Sequence, residues 1–241
     1  MKIEMHLHTK YSKDSFMNFW LLYWKLKFSG IDAVAITEHN NIIGALEFKK
    51  FCARRKTKIQ VIVGDEIFTS QGEIIGLFLQ EQIRPGLTAK ETISQIKSQN
   101  GIVYIPHPYD GKRRKTVLEE TVIEENRDLI DCIEIHNGRN ISPLYSLKQK
   151  EIASKYGIKP VIGSDAHTWI EIGRNYMEAS DVDVSSAEKF RLSLYKWKFH
   201  KKKCLKIAHQ ITKYVKLLKM VRSKDFHELH KIINKRFKIS K

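Results

Sequence analysis

Met5-His6-Leu7-His8-Thr9-Lys10-Tyr11-Ser12-Lys13-Asp14 is the stretch on which the fold of this chain turns. Lys2-Ile3-Glu4-Met5, just before it, reads as the entry into a β-strand. Side chains on a strand alternate between faces, so His6 and His8 point the same way, roughly 6–7 Å apart. Two imidazoles at that spacing can reach one metal ion, or two adjacent ones. Asp14 follows a polar turn and can swing back over the same place. Two ordinary histidines at a strand end would look the same, so an isolated H-x-H decides nothing.

The remaining histidines decide it. Of ten, four (His200, His209, His227, His230) lie in a basic tail. The other six all lie in or just after β-like apolar stretches: His6 and His8, His39 after Ala33–Glu38, His107 after Ile102–Pro106, His136 after Cys132–Ile135, and His167 after Val161–Ala166. Histidines placed for solubility or packing would not gather at strand ends. Metal ligation does gather them, because neutral imidazole is the commonest metal ligand.

Between these points the pattern alternates. Helices are predicted over Phe16–Phe28, with an aromatic face at Phe16, Phe19, Trp20, Tyr23 and Trp24, then over Gly44–Arg55, Thr88–Asn100, Val117–Asn126, Pro143–Tyr156 and Ser185–Phe199. Strands are predicted at Ile31–Ile36, Lys58–Thr69, Glu73–Leu79, Ile102–Ile105, Asp131–Ile135, Lys159–Ile162 and Tyr176–Ala179, with a tight hairpin turn at Gln71-Gly72. Repeated β-α order with apolar strands implies a parallel sheet. Six to seven repeats in under 200 residues favour a closed α/β barrel over an open sheet. In such barrels the active site lies where strands give way to loops, which is where the polar residues collect here. The candidate ligands are His6, His8, Asp14, His39, Glu66, His107, His136, Asp165 and His167. Four ligands fill a tetrahedral zinc site, so nine imply two or three ions with a carboxylate such as Glu66 between them.

The net charge of +16 is unevenly spread. Residues 196–241 hold sixteen Lys and Arg against two acidic residues, while the other 195 hold 27 against 25. The chain therefore reads as a near-neutral body, 1–195, and a lysine-rich amphipathic helical tail, 196–241. In the tail Ile207, Ile211, Tyr214, Val215 and Leu218 form a stripe expected to dock on the barrel or a partner. The lysine face opposite could bind nucleic acid backbone or an anionic membrane surface. No stretch is apolar enough to span a bilayer, no secretory signal is evident, and Cys52, Cys132 and Cys204 have no paired spacing. A cytoplasmic setting is expected.

Taken together, H-x-H (His6, His8), Asp14, T-E-H-N (Thr37–Asn40), G-D-E (Gly64–Glu66), H-P (His107-Pro108), E-I-H-N (Glu134–Asn137) and G-S-D-A-H (Gly163–His167) resemble the PHP family, the polymerase and histidinol phosphatase domain metallophosphoesterases. The resemblance runs from about residue 1 to 190. It implies a distorted (β/α)7 TIM-like barrel followed by the basic helical extension, and a trinuclear centre of manganese, iron or zinc. By resemblance, His6, His8, Glu66 and Asp165 hold one ion, Glu66 bridges to a second held by His107 and His136, and Asp14, His39 and His167 hold a third. Family members often have Asp where this chain has Met5 and Glu38. The implied activity is hydrolysis of a phosphomonoester, a small metabolite or a nucleotide, by a metal-bridging hydroxide. Asp14 and Glu66 would belong to the catalytic centre, and Arg139 and Arg174 would contact phosphate. The run Lys112–Lys115 could steer an anionic substrate. Alternatives are a nuclease whose tail holds the strand, and a nucleic-acid-binding scaffold without turnover.

Overall fold

The computed structural model describes residues 1–113 and 115–223. Arg114, His227 and His230 lie outside the described residues. The chain runs β1 (Lys2–Leu7), α1 (Phe19–Phe28), β2 (Ala33–His39), α2 (Ile43–Arg54), β3 (Gln60–Thr69), β4 (Gly72–Leu77), α3 (Ala89–Ser98), β5 (Ile102–Ile105), α4 (Glu120–Asn126), β6 (Cys132–Asn137), α5 (Pro143–Lys155), β7 (Lys159–Gly163), β8 (Tyr176–Glu178), α6 (Ala187–Ser193), β9 (Lys198–His200) and α7 (Lys206–Arg222). One sheet takes them all in the order β7-β6-β5-β4-β3-β2-β1-β8-β9.

The sheet nearly closes on itself. Just past β7, the Ser164 amide donates to the Met5 carbonyl at 2.8 Å, and the His8 amide donates to Ala166 at 2.9 Å. Leu7 and Ala166 form a parallel bridge. The result is a distorted β/α barrel whose strands β1, β2, β5 and β7 bury Ile3, Met5, Ile36, Tyr104 and Val161 completely. The sheet is mixed rather than parallel throughout. The Gln71-Gly72 turn makes β4 antiparallel to β3, and β4 is also antiparallel to β5. Strands β8 and β9 likewise run antiparallel to their neighbours. Local signals end the helices as the sequence suggests, for instance the reciprocal capping box of Thr88 and Glu91 on α3.

Three helices differ from expectation. Helix α1 starts at Phe19, with Asn18 as its N-cap, and buries Leu22 and Leu26. Phe16, Trp20 and Trp24 are 42–51 % exposed and Phe28 is 79 % exposed. On α1 the four-residue spacing of Trp20, Trp24 and Phe28 puts them on one outward line, where Trp24 stacks on Phe28 at 5.6 Å and Arg55 sits 4.1 Å from the Trp20 ring. Helix α6 stops at Ser193 instead of running to Phe199, because Lys198–His200 is taken up as a sheet edge by β8. That pairing begins just beyond residue 195 and ties the start of the tail to the barrel.

Helix α7 forms as expected but turns a different face inward. Of the stripe Ile207, Ile211, Tyr214, Val215 and Leu218, only Val215 is buried, together with Ala208 and Met220. Polar anchors set this rotation. The Arg139 guanidinium donates to Thr212 Oγ1 at 2.8 Å, and Lys219 Nζ donates to the carbonyls of Lys10 and Ser12 at 2.7 and 2.6 Å. Ala208, Thr212, Val215 and Lys219 recur at i, i+4, i+7 and i+11, one face of a helix. Among the described residues no helix is long and apolar enough to cross a membrane.

Candidate metal centre

The ends of β1, β2, β3 and β5, with the loop after β7, bring His6, His8, Asp14, His39, Glu66, His107, Asp165 and His167 together at one mouth of the barrel. The backbone bends to do so. His6, His107 and Asp165 have φ of +61°, +28° and +50°, a region that residues with a Cβ seldom enter. The β1–β2 register shifts between Glu4 and Leu7, so His6 and His8 converge more closely than plain alternation would place them, their ring centroids 5.3 Å apart. Hydrogen bonds hold these bends. Ser164 Oγ donates to the His6 carbonyl at 3.0 Å, and the His107 amide donates to Glu134 Oε2 at 2.7 Å.

Glu66 lies at the centre. Its Oε1 is 3.1 Å from His6 Nε2 and 3.0 Å from His107 Nε2. Its Oε2 is 2.9 Å from His39 Nδ1 and 3.5 Å from His8 Nε2. Asp165 Oδ1 is 3.7 and 3.5 Å from the Nε2 atoms of His6 and His8. Asp14 Oδ1 lies 3.3 Å from His167 Nε2 and 3.7 Å from His39 Nε2. Four overlapping triads place their ligand atoms within 4.8 Å of one another: His8–His39–His167, His6–Glu66–His107, His6–His8–Asp165 and His39–Glu66–Glu73.

A second set of contacts fixes which nitrogen His6, His8 and His167 offer. His6 Nδ1 donates to Glu134 Oε1 at 2.8 Å. His167 Nδ1 donates to the Asp165 carbonyl at 2.9 Å. The Ser12 hydroxyl is committed to Glu38, so at 3.1 Å His8 Nδ1 donates to Ser12 Oγ. In its neutral form each of these three rings therefore turns an Nε2 lone pair into the cluster, the arrangement that outer partners impose on metal-binding histidines. Glu38 also takes the Thr9 amide and hydroxyl, pinning the loop after β1. Its longer side chain fits because residue 44 is glycine: a Cβ there would lie 2.2 Å from Glu38 Oε1. Gly163 likewise makes room for Glu134, where a Cβ would stand 1.9 Å from Oε1. Met5, at the other departure from the family pattern, is core.

The electrostatics follow from crowding charge in a dry place. Burial opposes the charged imidazole of His6, but Glu66, Asp165 and Glu134 outweigh it and hold its pKa well above the ordinary value. His8, with His167 and His39 as close neighbours, is driven well below by burial and by those two rings. Burial raises Asp14, Glu66 and Asp165, yet each ends well below the carboxylate range: His167 and His39 act on Asp14, His6 and His39 on Glu66, and Arg113 and His6 on Asp165. Glu73 is pushed up to about 8 by burial and then by the charge of Glu66.

Not every residue singled out in the sequence joins the cluster. His136 stands apart, its Nδ1 2.8 Å from Ser146 Oγ and its Nε2 3.2 Å from Asn175 Oδ1. A register irregularity lies between Glu134 and His136 on β6, and it is Glu134 that reaches the cluster's edge. Arg139 is 5 % exposed and paired with Glu171 at 3.5 Å and Thr212; Arg174 donates to the Lys203 carbonyl at 3.0 Å. Both arginines hold the tail. Two other residues take part instead. Glu73, at the start of β4, comes within 3.6 Å of His107 Nε2. Arg113, from the charged run, binds Asp165 Oδ2 directly.

A nearly closed β/α barrel with a histidine–carboxylate cluster at its mouth defines a class of metal-site proteins, and the relatives of this chain narrow it. The PHP domain matches residues 4–133 and the PHP-associated region matches residues 146–196. The chain belongs to the PHP domain family. It is 33 % identical over 191 residues to the uncharacterized protein MJ0417 of Methanocaldococcus jannaschii, covering 78 % of this chain and 74 % of that protein. It is 43 % identical over 125 residues to MJ1587 of the same organism, covering 45 % and 68 %. Its fold is similar, with a TM-score of 0.63 and 18 % identity, to a two-domain protein from Bacteroides vulgatus containing a predicted PHP-like metal-dependent phosphoesterase. That match covers 83 % of this chain, which spans 64 % of the other's length.

Proposed function

We propose that this protein is a metal-dependent phosphoesterase that hydrolyses a phosphomonoester, a small metabolite or a nucleotide, at a centre of two to three divalent transition-metal ions. One observation carries the reading. His6 Nε2, His8 Nε2, Glu66 Oε2 and Asp165 Oδ1, with Asp14 Oδ1 at the cluster's edge, are buried at the barrel mouth and lack a hydrogen bond. Native interiors rarely leave such atoms unpaired, and five of them at one mouth are the donor set of cations. Imidazole and carboxylate suit manganese, iron and zinc alike.

In this proposal His6, His8, Glu66 and Asp165 hold one ion. Glu66 and His107 hold a second, with Glu73 where His136 was expected, and Asp14, His39 and His167 hold a third. Bound ions would supply Lewis acidity toward phosphate and bring the pKa of water from 15.7 to about 7. The protein's own groups do the rest. Glu134, Ser12 and the Asp165 carbonyl keep three imidazoles turned inward. Arg113 brings a guanidinium to the cluster's edge, where it can take phosphate oxygens in a fork. Arg139 and Arg174 act as tail anchors. The experiment is hydrolysis of p-nitrophenyl phosphate before and after chelation. Activity lost on chelation and restored by manganese, iron or zinc supports the proposal. No activity with any of the three overturns it.

A further inference from the structure

Helix α7 lies along the loop that follows β1, and between them opens a groove of about 500 Å³ lined by Tyr11, Lys13, Lys216, Lys219, Met220 and Arg222. The wall it shares with the metal cluster is one segment of chain thick. Lys13 and Ser12 both line the groove; Ser12 Oγ also holds His8 at 3.1 Å, and the next residue, Asp14, lies 3.3 Å from His167. Lys219 is spent on tying helix to loop through the carbonyls of Lys10 and Ser12. Lys13, Lys216 and Arg222 make no side-chain hydrogen bond or ion pair among the described residues. Among the described residues no carboxylate lines the groove, and α7 carries five Lys and Arg with no acidic residue. Tyr11, 37 % exposed, and Met220 supply apolar surface. A concave site with cations of one sign over apolar walls concentrates anions.

We propose that this groove takes a second phosphate of the substrate, so that the enzyme acts on phosphomonoesters carrying a further phosphate on an apolar or planar body. Lys216 and Arg222 are the specificity-determining residues. The proposal rests on the phosphoesterase reading for the scissile phosphate and adds the class of molecule that bears it. It also gives the tail helix a place in the substrate site, with its cations presented beside Asp14.

The test is calorimetric binding of two matched pairs to the full chain, phenyl phosphate against 1,4-phenylene bisphosphate and AMP against ADP. In the wild type the second phosphate tightens binding about 10-fold in at least one pair, which is about 1.4 kcal/mol. In the Lys216→Ala/Arg222→Ala variant that preference falls to within about 2-fold, and Lys216→Arg retains it, because a guanidinium serves as well as an ammonium for phosphate. Because the readout is a ratio within one preparation, partial unfolding does not mimic it. No preference in the wild type overturns the proposal, and so does a preference that survives in the double variant. If p-nitrophenyl phosphate is not hydrolysed with metal supplied, the phosphoesterase reading fails, and the calorimetric ratio still decides the groove.

Discussion

The barrel mouth and the helix that lies over it are built in opposite ways. At the mouth three of the histidines are fixed twice, once by the strand or bend that carries each and once by a buried partner, as Glu134 fixes His6 and Ser12 fixes His8. Helix α7 is fixed by three small apolar contacts and a few polar ties from Arg139 and Lys219, while Ile207, Tyr214, Leu218 and Val221 stay more than half exposed. The difference is one of preorganisation. The cluster stores its geometry in the sheet, where a metal-binding site needs it. The helix is an added layer, and in the proposal above its cations select which molecules are held beside the site.

That contrast can be broken at several strengths. Replacing a shared central ligand has the largest effect: Glu66→Gln is expected to lower bound metal by at least one ion per chain and phosphatase activity by more than about 100-fold, above the range for outer partners. Elemental analysis and turnover on p-nitrophenyl phosphate read both. Gly163→Ala comes next. It displaces Glu134 without touching a ligand, and is expected to weaken metal affinity about 10–100-fold, measured by competition with a chelator. Thr212→Val leaves the buried Arg139 guanidinium short of an acceptor. It is expected to cost about 1–3 kcal/mol of stability with bound metal unchanged, checked by thermal melting and metal content. A fall in metal content there would erase the distinction between the two regions.

The smallest effect is a pH dependence. Burial, aided by the Arg139 charge, depresses His209 on α7 to about 4, below the ordinary 6.5. The unfolded chain therefore binds the proton first, so the stability linked to neutral His209 is present above pH 6.5 and is lost as pH falls toward 4. Between pH 7 and 5 the wild-type Tm is expected to drop about 2 °C more than that of His209→Gln. Equal drops would detach His209 from the docking of α7.

How much of this was legible in the sequence follows the same divide. Strand ends are easy to read, because a run such as Ala33–Glu38 followed by His39 fixes both the element and the side on which the polar residue emerges. The order of strands, the Gln71-Gly72 hairpin and the gathering of eight of the nine residues at one mouth were accessible that way. His136 was not, because nothing in Glu134-Ile135-His136 reveals a register irregularity that favours the glutamate. Glu73 could be placed on a strand, but its approach to His107 depends on the sheet curling. Arg113 is indistinguishable in sequence from its basic neighbours. For α7 the face turned to the barrel is not the hydrophobic stripe, because a few polar anchors from Arg139 and Lys219 set its rotation. In α1 the aromatic line marked the outside, and two leucines marked the core.

The measurement that bears most directly on the central claim is elemental analysis of the intact protein, purified without chelator and dialysed against metal-free buffer. Two to three transition-metal ions per chain, falling by at least one in Glu66→Gln, is the expected result. Less than one ion per chain, after manganese, iron and zinc have each been offered, would contradict the account and leave the buried unpaired atoms of His6, His8, Asp14, Glu66 and Asp165 without a cause.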